Sequence, residues 1–523
     1  MTRRATVVLT GVWALTTLLW LQPGVVIPDG VGYFVYLPSI TLDHDLVFFD
    51  EWQRFGMIRD GVIAYKDVTA NGHLANHWTC GSAMAWAPAY LLGHAASSMT
   101  HFPRNGVSLP YNAPVVFTSA VAGLIALLLG MRAASRYGQN TLIAAIAIWF
   151  GSPLMWYSLR HATMSHAVGA AACAAVVWLS MRLRDGVDTN FAIGLAVGFA
   201  CAVRPQNAPF ILVPLIVAWR PGDRAPSRKF GWTILGAIVG GLPQIIVSQV
   251  LWGSPLAFAN VGVQGNDWQS FTHIRLIETL FSPYHGLAVW TPLLLFALAG
   301  FWFLFKDDRR LGIAAIVMFG LQWLMIATLD RAFWGGVAFG QRRFDNCTVF
   351  FILGLAALFA RIPRWAALVI AVVPSLWTLA LSFATLDLNF PQSVPQLIGA
   401  ALHADWRLSF VPPQARLTVW VLMLLTAALL AALGWLVRFK PTLIATIYLL
   451  AFSVLFAWCG SRDDLTPWRE LIARNRAHPT GTVKTSVLVI RNEARWLALS
   501  GDREAAARSF AEADRMARAA GIP

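Results

Sequence analysis

The sequence predicts an all-α protein that crosses a membrane about thirteen times. Of its 523 residues, 57% are hydrophobic and only 13% are charged, about half the charged fraction of a typical soluble domain. Apolar stretches that approach the roughly 20 residues needed to cross a bilayer recur from Ala5 to Gly460. Together these two observations exclude a water-soluble enzyme and indicate a polytopic membrane protein.

The predicted spans follow one another with short loops, except for a long first loop. They cover residues 5–27, 112–131, 139–158, 164–181, 190–203, 207–219, 231–252, 286–305, 311–329, 346–360, 365–386, 417–437 and 441–460. The fifth and sixth spans are short and flank Arg204-Pro-Gln206-Asn207, which indicates tilt or a partly re-entrant pair. The first segment lacks a signal-peptide cleavage site, so we interpret it as a retained span.

Charge sets the predicted orientation, because basic loops remain cytoplasmic. Every second loop carries a basic group: Arg3/Arg4, Arg132/Arg136, Arg182/Arg184, Arg220 to Lys229, Lys306 to Arg310, Arg361/Arg364 and Arg438/Lys440. The acidic loop 28–111 is therefore expected outside, and the segment Cys80 to Met99 is expected in the outer interface, since a crossing there would invert every later loop. We predict an integral plasma (inner) membrane protein with a cytoplasmic N-terminus and an extracytoplasmic C-terminus.

The chain divides into a transmembrane module, 1–460, and a small outer tail, 461–523. The apolar spacing in the tail predicts a helix hairpin like that of a tetratricopeptide repeat. Such a hairpin either caps the outer face or docks a protein partner. The net charge of +14 is scattered between spans rather than clustered, so no nucleic-acid partner is expected. The five cysteines lie far apart and indicate neither a disulfide framework nor a zinc site.

Polar residues gather at the predicted outer side, where they imply a hydrated cavity between the spans. Asp29 follows the first span and suits a general base, with helix capping as the alternative role. Arg342 and Arg343 follow a glycine-rich stretch and suit a phosphate clamp, with headgroup contacts or pairing with Asp330 and Asp345 as the alternative.

Other outer residues complete the candidate site. Arg204 and His285 join Arg342 and Arg343 as predicted phosphate ligands, and the predicted cavity-lining residues are Tyr33, His77, His161, His166, Gln206 and Tyr284. The first loop also offers metal-ligand types, namely Asp43, His44, Asp45, His73 and His77. Their spacing matches no metal motif, so we predict no metal centre and no firmly bound cofactor, and leave a divalent metal as an alternative.

Three segments resemble a known enzyme group. They are Asp29-Gly-Val-Gly-Tyr33, the stretch from Asn76-His77 through Pro88 and Tyr90, and the motif GQRRFDN at 340–346. Over roughly residues 5 to 360 the chain resembles the GT-C integral-membrane glycosyltransferases, particularly the branch of protein O-mannosyltransferases and lipid A aminoarabinose transferases. It departs from the mannosyltransferases where Gly30, rather than Glu, follows Asp29.

The resemblance implies a fold of the GT-C type and an enzyme that transfers sugar from a polyprenyl-phosphate donor, with inversion, at the outer face. Asp29 would be the general base, and Arg342 with Arg343 or His285 would balance charge on the leaving lipid phosphate. The acceptor would be a glycan, a lipid or a protein. Two alternatives remain: a transporter or flippase of lipid-linked glycans, although no duplicated halves are visible, and a scaffold that recruits partners through the tail.

Overall fold

The computed structural model describes most of the chain. The residues described are 2–26, 29–59, 62–63, 68–218, 226–257, 274–328, 333–335, 338–388, 390–407, 409–477, 483, 487–488, 490–491, 494–495, 497–498 and 502–522. Within them the fold is helical, apart from a short antiparallel ribbon of β1 (Ile58–Arg59) and β2 (Val62–Ile63) in the first loop. The predicted fold class, a helical polytopic membrane protein, is confirmed in these residues.

The helices of the first half include the long first loop. They are α1 (Arg3–Trp20), α2 (Asp29–Phe34), α3 (Tyr36–Pro38), α4 (Phe49–Arg54), α5 (Gly81–Ser97), α6 (Leu109–Ala133), α7 (Asn140–Gly151), α8 (Leu154–Leu159), α9 (His166–Arg184), α10 (Asn190–Val203), α11 (Leu212–Val217) and α12 (Pro226–Trp252). A π-helical turn, Ser39–Asp43, and 3₁₀ turns at Ser135–Tyr137 and Pro205–Ile211 link some of them.

The second half continues with the remaining spans and the tail. Its helices are α13 (Leu276–Phe281), α14 (Leu287–Trp290), α15 (Leu293–Asp307), α16 (Arg309–Ala327), α17 (Thr348–Phe359), α18 (Arg364–Phe383), α19 (Val394–Leu402), α20 (Arg416–Val437), α21 (Pro441–Gly460), α22 (Arg469–Ala477) and α23 (Arg503–Ala519). Three further 3₁₀ turns are Arg342–Cys347, Pro413–Ala415 and Thr466–Trp468.

Seven helical segments in the described part are long and apolar enough to cross a membrane: Leu109–Ala133, His166–Arg184, Phe230–Trp252, Arg309–Ala327, Arg364–Phe383, Pro413–Val437 and Pro441–Gly460. Three shorter apolar segments accompany them: Asn140–Gly151, Asn190–Val203 and Pro205–Val217. Each of the thirteen predicted spans overlaps a helix, while the number of crossings stays a prediction.

Two predicted spans are broken rather than continuous. Segment 139–158 divides into α7 and α8 at Ser152-Pro153, and segment 286–305 divides into α14 and α15 at Thr291-Pro292. Proline lacks the amide hydrogen that continues a helix, and it restricts the residue before it, so each break has a local cause. Both breaks lie beside Gly340 of the GQRRFDN motif, where an added Cβ would lie 3.5 Å from Pro153 and 3.6 Å from Thr291.

Four of the loops predicted to be cytoplasmic meet at one end of the bundle. Arg136 and Arg184 lie 3.4 and 2.8 Å from the carboxylate of Asp308, and Arg361 contacts the neighbouring Asp307. These residues come from four separate loops or helix ends, yet they share one small ionic network. The predicted grouping of loops therefore agrees with the structure, and their assignment to the cytoplasm remains a prediction.

Small residues allow α10 and α12 to pack closely. A Cβ added to Gly194 would lie 2.1 Å from the carbonyl oxygen of Thr233, and one added to Gly198 would lie 2.2 Å from that of Ala237. Small residues spaced four apart are typical of helix contacts in membranes, because they let backbones approach. This packing fixes the end of α10, where Arg204 begins the candidate site.

Helix α5, predicted to lie in the outer interface, is covered by protein. Trp86 donates a hydrogen bond to Ser119 of α6 at 2.9 Å, and Tyr448 of α21 donates to the carbonyl of Met84 at 2.6 Å. Gly93 abuts α6 so closely that a Cβ would lie 2.1 Å from the Pro110 carbonyl oxygen. Helix α5 therefore packs against both α6 and α21, while its position at the outer interface stays a prediction.

The start of the tail packs against the first loop across the predicted boundary at 460. Asp463 accepts a hydrogen bond from the backbone of Leu46 and lies 2.7 Å from Nε2 of His73, with both side chains nearly buried. Trp468 stacks on Phe49 at 5.0 Å. Most of the first helix of the predicted hairpin lies outside the described residues, although Val487 and Ile490 form an apolar cluster with Ala513 and Ala517 of α23.

Candidate functional site

Four distant segments converge to form the site. Asp29 begins α2, His166 begins α9, Arg204 follows the last residue of α10, and Arg342 opens the 3₁₀ turn before α17. Arg204 has extended backbone angles, φ −156° and ψ 120°, as expected of a residue that precedes proline. Each side chain therefore projects from a helix end or break, where the backbone is free to turn toward the others.

An ion pair between Asp29 and Arg342 forms the centre of the site. Nη2 of Arg342 lies 2.8 Å from Oδ2 of Asp29, although 313 residues separate them. The Arg342 side chain is only 9% exposed, while that of Asp29 is 26% exposed. Burial is the largest single influence on Arg342 and opposes its charge, but the Asp29 carboxylate together with Tyr157 and Tyr33 outweighs burial and raises the pKa of the guanidinium. The second nitrogen of Arg342 donates to the sulfur of Met164 at 3.4 Å.

A second group of charges adjoins this pair. Nη1 of Arg204 lies 2.7 Å from Nδ1 of His166, and its Nη2 donates to Gln206 at 2.9 Å. His166 also lies 3.4 Å from the carboxylate of Asp345. Gln206 donates in turn to the backbone carbonyl of Arg343 at 3.0 Å. The residues thus form one continuous network.

A narrow crevice runs through this network. Its lining residues are His166, Gly169, Ala170, Arg204, Gln206, Asn207, Arg342, Asp345 and Asn346. The crevice is too tight in this conformation to admit a water molecule. The sequence predicted that all the candidate residues line a hydrated cavity; the structure brings His166, Arg204, Gln206 and Arg342 together, but around a tight crevice rather than an open chamber. A substrate would have to open the crevice.

The charges around the crevice favour the binding of an anion. Arg204, Arg342 and Arg343 contribute three guanidinium groups, whereas Asp29 and Asp345 contribute two carboxyl groups. Burial raises the pKa of Asp345 well above its ordinary value despite Arg204 and Arg342, which weakens its capacity to neutralise them. Buried guanidinium forks in excess over carboxylates are suited to phosphate, whose oxygens accept two hydrogen bonds side by side.

Aromatic residues hold the arginine segment in place. The Tyr157 ring packs at a tilt against His166, with ring centroids 4.3 Å apart, and its hydroxyl accepts a hydrogen bond from the backbone of Phe339 at 2.7 Å. Gln341 donates to the carbonyl of Phe333 at 2.7 Å, and Gly340 has a φ of +58°, which glycine adopts readily. These contacts direct Arg342 and Arg343 inward.

Two predicted residues flank the network. His161 packs on the ring of Trp156 at 5.0 Å, and burial, followed by Arg160 and Arg342, lowers its pKa to about 4. Tyr33 packs edge-on against Trp78 at 6.4 Å, close enough to the arginines to affect their pKa values. Both residues border the charged centre, but within the described structure neither is hydrogen-bonded to Asp29 or Arg342.

Three predicted residues lie apart from the network. His285 is buried, approaches the carbonyl of Leu388 at 3.3 Å and packs on Trp290. Tyr284 stacks on Trp334 at 5.0 Å. His77 packs against Trp252 at 5.6 Å. The structure places all three in aromatic clusters, so a direct role in binding phosphate is not supported by contacts among the described residues.

Some residues of the site were absent from the predicted set. Asn207 and Asn346 are bonded at 3.1 Å and line the crevice, and Asp345 faces His166. Asp345 and Asn346 belong to the same GQRRFDN motif as the arginines, so the motif itself was the available signal. Tyr157 gave no such signal, because an aromatic residue in an apolar helix usually serves packing.

The metal-ligand types in the first loop do not form one cluster. His73 pairs with Asp463, His44 packs near Trp458, and Asp45 accepts from Ser39 and Val47. In the described part of the chain a different group, Asp43, Asp50 and Glu51, places three carboxylates together. Burial, with Asp50 and Asp43 close by, raises the pKa of Glu51.

Comparisons with known proteins give one structural likeness. No protein-family model matches the chain, and no curated protein matches it. The structure is similar to the crystal structure of ArnT from Cupriavidus metallidurans in the apo state, with 15% sequence identity and a TM-score of 0.43. The similarity covers 91% of this chain and 78% of that one.

Proposed function

We propose that the protein is a membrane glycosyltransferase of the GT-C type that takes sugar from a polyprenyl-phosphate donor. The observation that carries the proposal is the 2.8 Å contact between Asp29 and Arg342 at the edge of a crevice with excess guanidinium charge. A carboxylate and a phosphate ligand side by side are the two groups that such a transfer requires: one to accept a proton and one to balance a leaving group.

In the proposed reaction Asp29 accepts the proton from the acceptor's nucleophile. The nucleophile attacks the anomeric carbon from the face opposite the phosphate, so the new bond forms as the bond to polyprenyl phosphate breaks. Arg342, supported by Arg204 and Arg343, balances the negative charge that develops on the phosphate. Electrostatic stabilisation by one such donor commonly contributes roughly 2.7–4 kcal/mol to lowering the barrier.

The contact between Asp29 and Arg342 describes a resting state in this proposal. Attack and departure occur on opposite faces of the sugar, so the base and the phosphate ligand must be separated by at least a sugar ring. The donor phosphate would replace the Asp29 carboxylate on Arg342, and the crevice would widen as the pair opens. A bound donor would thereby release the base for use.

The proposed location follows the predicted orientation. Asp29 would face the outer side of the plasma membrane, the lipid tail would lie between spans, and the acceptor would be a glycan, a lipid or a protein reached from that side. The polyprenyl donor would be the only substrate held by charge, through the arginines of the crevice. The described residues that line the crevice do not form an acidic metal site. No cofactor is part of the proposed reaction.

The proposal is tested by reconstitution with a labelled donor. Purified protein in lipid nanodiscs is incubated with a series of polyprenyl-phosphate sugars and an extract of envelope acceptors, and labelled products are identified by mass spectrometry. We expect labelled product together with free polyprenyl phosphate. Movement of an intact donor across a vesicle membrane without cleavage would instead support a flippase and overturn the proposal.

A further inference from the structure

The first loop contains a charged cluster that is separate from the crevice residues. Asp43 ends the π-helical turn, while Asp50 and Glu51 lie in the first turn of α4. One carboxylate oxygen from each of the three lies within 4.8 Å of the others. Left-handed backbone angles at His44 and Phe48, each with φ of +61°, bend the chain so that the three side chains meet.

Glu51 is the distinctive member of the cluster. The residue is fully buried, and neither carboxylate oxygen has a hydrogen-bond partner among the described residues. A buried carboxylate without a partner is costly, because burial removes the water that would otherwise solvate it. The oxygens of Glu51 instead lie beside those of Asp43 and Asp50, whose side chains are 28% and 34% exposed.

Arg54 compensates only part of the negative charge. Its Nη2 lies 2.6 Å from Asp50 and 3.8 Å from Asp43, and its Nη1 donates to the carbonyl of Asn105 at 3.4 Å. Three carboxylates and one guanidinium leave a formal charge of −2, which one divalent cation would neutralise. Glu51 makes no ion pair with Arg54 in the described structure, so the buried carboxylate is the group still lacking a cation.

We propose that Asp43, Asp50 and Glu51 bind a calcium ion in the first loop. The donors are all carboxylate oxygens, which hard cations prefer, and no histidine or cysteine takes part. Oxygens that contact Ca²⁺ at roughly 2.3–2.6 Å lie at most about 5 Å apart, so the 4.8 Å limit fits calcium. Magnesium contacts of roughly 2.0–2.1 Å would require the oxygens to lie no more than about 4 Å apart.

Because the site is partly exposed, the calcium ion has a route of entry and can keep water molecules as its remaining ligands. Asp43 and Asp50 reach solvent, so an ion can enter from that side and retain water in its open positions. Glu51 supplies the buried end of the site. The ion would join the turn at 39–43 to α4, and through Arg54 to residue Asn105 before α6. The proposal is independent of the proposed transferase function.

The experiment is calorimetric titration of the purified, full-length protein in detergent with CaCl₂, after removal of divalent ions. We expect one calcium ion per chain and at least tenfold weaker binding of magnesium. Glu51→Gln, which keeps the shape but removes a charged ligand, should weaken calcium binding at least tenfold. Asp405→Asn, an acidic side chain that pairs with Arg407 on the surface, is the matched control and should bind like the wild type.

The results distinguish calcium binding from the alternative, in which the carboxyl groups share a proton and bind no ion. If the wild type takes up no calcium at millimolar concentration, or if Glu51→Gln binds it unchanged, the proposal is overturned. Should Glu51→Gln fail to fold, the partly exposed Asp43→Asn provides the second test, with the same expected loss. Calcium should also raise the unfolding temperature of the wild type and of Asp405→Asn, but not that of Glu51→Gln.

Discussion

The two charged clusters of this protein are built in opposite ways. The crevice draws Asp29, His166, Arg204 and Arg342 from distant parts of the chain and contains more guanidinium than carboxyl groups. The first-loop cluster draws Asp43, Asp50 and Glu51 from nine consecutive residues and is acidic. The first fits an anion and depends on the whole fold, whereas the second fits a cation and depends on a local bend.

This difference predicts how each of the two clusters should respond to substitution. In the crevice the charges already contact one another, so removing one leaves a buried partner behind. In the first loop the charges repel, so removing one relieves repulsion while it weakens the proposed calcium site. The predictions below test this contrast, beginning with the largest expected effect.

Asp29→Asn should lower sugar transfer by roughly 10²–10⁴-fold, because a general base commonly contributes that much. Binding of the donor should be retained, since the carboxylate that competes for Arg342 becomes neutral. Transfer is measured with labelled donor in nanodiscs, and Asp405→Asn is the matched control. Normal turnover by Asp29→Asn would remove the base assignment.

Arg342→Lys should lower transfer by roughly 10²–10³-fold, the effect of losing one stabilising donor at a developing charge. Lysine keeps the positive charge but lacks the planar guanidinium group that donates two parallel hydrogen bonds to phosphate. Binding of polyprenyl phosphate is measured in parallel and should weaken. Arg407→Lys, an exposed arginine that pairs with Asp405, serves as the control. Unchanged affinity for polyprenyl phosphate in Arg342→Lys would argue against the clamp.

A double-mutant cycle should distinguish the two clusters by their coupling. Asp29→Asn and Arg342→Lys should be non-additive in unfolding free energy by roughly 0.5–3 kcal/mol, because the side chains touch. Asp29→Asn and Glu51→Gln should be additive within about 0.5 kcal/mol, the usual result for residues without shared partners. Coupling of equal size in both cycles would contradict the separation of the clusters.

His285→Gln should make stability less sensitive to acid. Burial lowers the pKa of His285 to about 3, from an ordinary value near 6.5. Between these pH values His285 is protonated in the unfolded chain but stays neutral in the folded protein. The free energy of unfolding therefore decreases as the pH falls through this window. Glutamine can still donate to the Leu388 carbonyl without titrating.

The test compares unfolding temperatures at pH 7 and pH 4.5. We expect a smaller fall for His285→Gln than for the wild type, while His403→Gln, at an exposed histidine, should behave like the wild type. An equal fall in His285→Gln would show that this residue does not control the acid response.

The sequence predicted the fold and part of the site for identifiable physical reasons. Hydropathy located the helices, and alternation of basic loops grouped Arg136, Arg184 and Arg361 at one end. The same logic placed Asp29 and Arg342 on a common side, where they now touch. Hydropathy did not predict that His285 would pack apart from Asp29 and Arg342. It indicates the end of the bundle at which a residue lies but not the direction of its side chain.

Other features depend on tertiary contacts that no local pattern encodes. Glu51 lies in an acidic loop, where exposure is the natural expectation, yet it is fully buried. Hydropathy also gave no indication that α6 and α21 pack against α5. The tightness of the crevice likewise follows from long-range packing around Tyr157 and His166.

The contact of Asp463 with Leu46 and His73 affects how the protein is made. Residues 46 and 463 are 417 positions apart. At about 5–20 residues per second, the ribosome needs roughly 20–80 s to add the second partner after the first. During that interval the nascent first loop lacks the hydrogen bonds that Asp463 supplies, so its final structure forms only late in synthesis.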